Sequence, residues 1–120
     1  MTGPEQDLRA RTKNFALRII RLYASLPKTT EAQVIGKQAL RSGTSVGAQY
    51  REANRARSTA EFISKIEGAL QELDETAYWL ELLGDGGIVP ESRLADLKNE
   101  TEELTAIFVA SAKTAKAHKR

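Results

Sequence analysis

Glu72 and Glu75 stand three residues apart, one helical turn, and Arg41, Ser42 and Ser45 cluster within about one turn of an earlier helical stretch. Two carboxylates on one face are the residue types of acid/base catalysis, where one group gives a proton and another takes it. Beside an arginine, the same two belong to a polar network, because carboxylates in a bundle usually need a guanidinium partner. Nothing beyond the paired carboxylates supports catalysis, so the network is the favoured reading: it fixes helix register or a subunit contact. Other chemistries lack their parts. A di-metal site inside a bundle needs Glu-x-x-His on two helices, and the only histidine, His118, lies in the terminal segment. Ser-His-Asp catalysis fails for want of the same residue. There is no cysteine, which excludes a disulfide framework and a thiolate metal site. No catalytic residue, no cofactor and no metal are expected.

The cations suggest a different chemistry. Net charge is only +2, but it is unevenly spread. Residues 1–57 hold eleven Lys/Arg against four Asp/Glu, residues 58–112 hold three against twelve, and residues 113–120 hold four and no acid. Arg9, Lys13 and Arg21, with Arg11 and Arg18, decorate exposed faces of the first helix. Arg51, Arg55 and Arg57 cluster near the end of the second, and Lys113, Lys116, Lys119 and Arg120 mark the tail. The bland reading is solvated faces and pairing between a basic and an acidic half. The sharper one is phosphate contact with RNA or DNA without base readout, for which Arg11, Arg18, Arg51, Arg55, Arg57, Lys113 and Lys116 are the candidates. Aromatic residues are few, and no stacking platform for bases is visible.

Three glycines, Gly36, Gly43 and Gly47, fall inside a helical pattern. Each costs about 1 kcal/mol relative to alanine there, so close approach of another backbone is expected. Gly43 and Gly47 form a G-x-x-x-G, read as helix or subunit packing. A phosphate-cradling loop would need a preceding strand and a following Gly-Lys-Ser/Thr. Trp79 lies at the flank of its helix's apolar seam, and a flanking tryptophan suits an oligomer interface. Gly43 and Gly47 of a facing subunit are the expected site of close approach.

These residues must be positioned by helices. With 120 residues, 41% of them hydrophobic and 28% charged, the chain suits one globular domain spanning residues 1–120. No strand pattern appears. A first helix is expected over about 4–26, with Leu8, Phe15, Ile19, Leu22 and Leu26 on one seam and Pro27 as its stop. A second runs over about 30–54 through Val34, Ile35, Ala39, Leu40, Val46 and Tyr50, opened by a Thr30/Gln33 capping box. The third, about 58–84, opens on Ser58 and Glu61 and carries Phe62, Ile66, Ala69, Leu73, Thr76, Leu80 and Leu83. The fourth, about 90–117, carries Leu94, Leu97, Thr101, Leu104, Phe108 and Ser111. Four long helices with short connections predict an all-α, up-down-up-down antiparallel four-helix bundle. Met1 is followed by Thr-Gly-Pro-Glu-Gln-Asp, with neither a basic nor an apolar leader region, so no secretory signal is expected. No apolar run approaches the roughly 18 residues of a membrane span. A cytoplasmic protein with no membrane partner is the expectation.

The middle of the chain resembles a known family. Gln38, Arg41-Ser42-Gly43, Ser45-Val46-Gly47-Ala48, Arg51-Glu52-Ala53, Ser58, Glu61-Phe62, Lys65, Glu72, Glu75 and Tyr78-Trp79-Leu80 match the small four-helix bundle proteins named after the intervening sequences of 23S ribosomal RNA, also called the S23 family. The similarity spans roughly residues 15–83, looser in the last helix. Gln49 departs from a usual asparagine, and Glu67-Gly68-Ala69-Leu70 from a more apolar stretch. The resemblance implies a left-handed bundle assembling as a ring-like homopentamer. It also implies kinship with accessory proteins of diversity-generating retroelements, which bind nucleic acid and a reverse transcriptase, and it implies no enzyme activity. Two readings follow: an oligomeric nucleic-acid-binding accessory protein, or a protein-protein scaffold without nucleic-acid binding.

Overall fold

A computed structural model of the chain describes residues 4–118, and the side chains of residues 7–118. Lys119, Arg120 and the side chains of Pro4 and Glu5 lie outside the described residues. Four helices carry the rest: α1 (Pro4–Ala24), α2 (Thr30–Asn54), α3 (Thr59–Asp85) and α4 (Glu91–Ala117). At about 1.5 Å per residue, the 27 residues of α3 or α4 run about 40 Å, most of the 50 Å long axis. The helices therefore lie along that axis, and connections of four or five residues (25–29, 55–58 and 86–90) force neighbours antiparallel. The four-helix bundle expected from the sequence is the observed fold.

Local chemistry sets the helix ends. α2 is capped by Thr29 rather than Thr30. Thr29 has extended backbone (φ −70°, ψ 155°), and its hydroxyl accepts from the Ala32 N–H. Gln33 therefore does not close a capping box. Its amide donates to the Pro27 carbonyl at 2.9 Å and accepts from the Tyr23 hydroxyl at 2.9 Å, fastening the α1–α2 turn. Ser58 caps α3 by accepting from the Glu61 N–H at 3.0 Å, and the Glu61 carboxylate accepts from the Arg57 N–H. α3 runs one residue past Gly84, and Gly87 supplies the positive φ of +71° that reverses the chain.

The core is the inner seam of all four helices, with Phe15, Ile19, Val46, Ile66, Leu73, Leu80, Leu83, Leu94, Leu104 and Phe108 fully buried. Each such side chain contributes about 1.5–3 kcal/mol by leaving water. Tyr50 of α2 stacks on Phe108 of α4, centroids 5.6 Å apart. Thr12 fills the gap that the α1 seam leaves between Leu8 and Phe15; its hydroxyl donates to the Leu8 carbonyl, which lets it be buried. Val34 is 57% exposed and does not join the α2 seam, and Ala112, not Ser111, is the buried residue of the α4 seam. α2 packs along α1 and α3, and α3 along α4, while α1 and α4 barely meet. The bundle is therefore least closed along its α1–α4 flank.

Candidate nucleic-acid interface

Among the polar candidates, α2 and α3 bring Arg41, Glu72 and Glu75 together. The Arg41 guanidinium lies 2.6 Å from Glu75 and 3.4 Å from Glu72, at a partly exposed edge. Ser42 points inward instead, its hydroxyl 2.7 Å from that of buried Thr76, which donates to the Glu72 carbonyl. Ser45 turns back on its own helix and donates to the Arg41 carbonyl. The expected cluster thus divides into a surface ion pair, a buried hydroxyl pair and a local bond. All three are structural contacts.

The glycines serve the chain's own α1. A Cβ on Gly43 would stand 2.8 Å from the Ile19 side chain, and one on Gly47 3.1 Å from the Thr12 hydroxyl. The chain's own α1 thus accounts for both glycines without the facing subunit expected to approach them at Trp79. Trp79 is half-buried on α3, with Tyr78 against it at 5.2 Å. Its indole N–H is buried without a hydrogen-bond partner among the described residues.

The cations separate into two classes. Arg11 crosses the α1–α4 flank, giving Glu100 two hydrogen bonds at 2.6 and 3.1 Å and Glu103 one at 3.2 Å. Hydrogen bonding to Glu100 raises its pKa above the ordinary arginine value. This latch occupies the guanidinium, so Arg11 holds helices together and is not presented to a ligand. Lys116 pairs with Glu67 at 2.7 Å. The second class has no ion pair among the described residues: Arg18, Arg51, Arg55, Arg57 and Lys113. Arg55 and Arg57 are exposed at the α2–α3 turn. Arg51 and Lys13 flank a groove between α1 and α2 floored by Thr12, Ala16, Thr44, Gly47 and Ala48.

Arg18 lines a groove between α1 and α4 with Arg21, Leu22, Ser25, Arg93 and Leu97. Sequence reading did not single out Arg93, which sits in the acidic half. The antiparallel turn brings the first turn of α4 beside the last turns of α1 and so places Arg93 by Arg18 and Arg21. The signal was available in two parts, the seven-residue spacing of Arg11 and Arg18 along α1, continued by Ser25 just past its end, and the antiparallel register. On the opposite flank of α4, Ala77, Glu81, Asp85, Lys98, Thr101 and Glu102 line an acidic groove. Among the described residues, no group of three or more His, Asp or Glu is placed to hold a metal, and no helix is long and apolar enough to cross a membrane.

Comparison with known proteins supplies relatives. The family model described as 23S rRNA-intervening sequence protein matches residues 5–110. A crystal structure of a protein of unknown function from the S23 ribosomal protein family of Bacteroides thetaiotaomicron is 38% identical, with a TM-score of 0.85 over 91% of this chain and 97% of that one. No curated protein matches the chain.

Proposed function

The chain belongs to the family of 23S rRNA-intervening sequence proteins, and on that footing we propose that it is a non-enzymatic, oligomeric, cytoplasmic accessory protein that binds RNA or DNA through phosphate contacts. The observation that carries this reading is the division of the cations. Acidic side chains neutralise Arg11, Arg41, Lys65, Lys98 and Lys116, while Arg18, Arg51, Arg55, Arg57 and Lys113 carry no ion pair among the described residues. Unpaired cations on a protein of small net charge favour a polyanion. In the homopentamer that the resemblance implies, five copies of a weak patch would add by avidity. A reverse transcriptase is the protein partner that the same resemblance suggests.

The test is fluorescence anisotropy with a labelled structured RNA and a DNA of the same length, at about 50 and 200 mM salt. Binding should weaken by tenfold or more across that range and weaken further when Arg51, Arg55 and Arg57 are changed to Glu. Indifference to both nucleic acids at low salt would overturn the reading.

A second reading, a protein-protein scaffold without nucleic-acid binding, is favoured by one feature. The buried indole N–H of Trp79 lacks a partner among the described residues, and Tyr78 beside it is 52% exposed. An interface there would cover an apolar surface and offer an acceptor. Light scattering on Trp79→Ala reads this out: a fall in oligomer mass supports an interface at Trp79, and an unchanged mass removes it.

A further inference from the structure

We propose that the groove between α1 and α4 is a seat for a phosphate group, held by Arg18, Arg21 and Arg93. Its assignment to a nucleic-acid backbone rests on the function proposed above; the anion seat itself does not.

Three arginines line this groove, and no acidic residue does. Guanidinium is the side chain best matched to phosphate oxygens, because its fork of donors engages two of them at once. The apolar lining is Leu22 and Leu97, 9% and 5% exposed. A low-polarity floor strengthens the attraction between cation and anion above it. Arg93 is held in place, since its Nη2 donates to the Ser25 hydroxyl at 3.0 Å. That hydroxyl donates its one proton to the Leu22 carbonyl at 2.8 Å, so it accepts from Arg93 and fixes it across the groove. Four of the five guanidinium donors of Arg93 remain.

The same flank shows what the protein does with an arginine it means to neutralise. Farther along α1, Arg11 receives both Glu100 and Glu103 from α4. Arg18, Arg21 and Arg93 receive no carboxylate among the described residues. Asp96, nearly one turn on from Arg93, makes no ion pair with it. Three unneutralised cations around one groove repel each other, and an anion from outside relieves that repulsion. The cavity, about 210 Å³, is below the roughly 300–1,000 Å³ of sites that enclose a small molecule. It suits one phosphate with its immediate substituents, as a backbone or a free polyphosphate would present.

The first test uses sodium pyrophosphate alone, followed by the arginine Nε–Hε NMR signals. Arg18, Arg21 and Arg93 should shift saturably, Arg41 should not, and Arg93→Gln should abolish the saturation while leaving the melting temperature unchanged. If Arg93→Gln fails to fold, Arg18→Gln/Arg21→Gln takes its place. Absent shifts, or equal unsaturable shifts at every arginine, overturn the seat. The second test compares a labelled single-stranded RNA on the native protein and on Arg18→Gln/Arg21→Gln/Arg93→Gln. The slope of log affinity against log salt should shrink by about 2, three contacts at about 0.7 each. An unchanged slope, with pyrophosphate bound saturably by the native protein, would assign the seat to free phosphates and overturn its backbone role. If the native protein binds no RNA, the function above fails, while the pyrophosphate result still decides the seat.

Discussion

The two grooves that flank α4 are built on one helix and carry opposite charge. Toward α1, Arg18, Arg21 and Arg93 surround Leu22 and Leu97. Toward α3, Glu81, Asp85 and Glu102 outnumber Lys98, and Lys98 is itself paired with Glu91 at 2.6 Å. The difference shows that a net charge of +2 conceals two fields. The family to which the chain belongs accounts for its fold, and the fold alone does not choose a ligand. The contrast between the flanks bears on that choice: under the proposed function, a polyanion would be steered to one side of α4 and repelled from the other.

Several changes would break or sharpen that contrast. The largest effect is expected of Phe108→Ala, which removes a fully buried ring and its stack on Tyr50. A loss of about 3–5 kcal/mol, measured by urea unfolding, should be accompanied by loss of both grooves together, because α4 is seated by that ring. Gly43→Val comes next. Its side chain must displace buried Ile19, and overpacking of this kind costs about 1–3 kcal/mol; the α1–α2 contact should loosen before the α3–α4 groove does, read by hydrogen exchange. Arg11→Ala removes the latch across the α1–α4 flank. Both partners are partly exposed, so the expected cost is about 0.5–1 kcal/mol, with faster amide exchange confined to facing parts of α1 and α4.

The smallest effect concerns pH at a pair remote from both grooves. Hydrogen bonding to Lys65 holds the Glu52 carboxyl below its ordinary value, and the same bond holds the Lys65 ammonium above its own. The Glu52 contribution is therefore present above the ordinary carboxylate range and lost as pH falls through the lowered value. The Lys65 contribution is present below the ordinary lysine range and lost as pH rises through the raised value. Lys65→Met should slightly flatten stability against pH at both limits, read by thermal melts.

Much of the fold was legible because apolar spacing is a direct consequence of helical geometry. Phe15, Ile19 and Leu22, or Leu73, Leu80 and Leu83, could face only one way. The misreadings have local causes. Thr12, absent from the expected seam, is polar by type but buried because its hydroxyl bonds its own helix, whereas Val34, placed on the seam, is apolar by type but points outward. Thr29 and Thr30 are equally good caps by composition, and backbone conformation at Thr29 decides between them. The candidate site was less legible. Arg11 and Arg18 share a face of α1, yet one is neutralised and the other is not. What decides is the residue that α4 places opposite, Glu100 for the first and Arg93 for the second. Sequence distance hides that choice, and only the antiparallel register reveals it.

The most direct measurement is an NMR titration of the native protein with a short single-stranded RNA, following every assigned amide and arginine side chain. The largest shifts are expected at Arg18, Arg21 and Arg93 and none along Ala77, Glu81, Asp85 and Glu102. Equal shifts on both flanks of α4, or shifts confined to the acidic one, would contradict it.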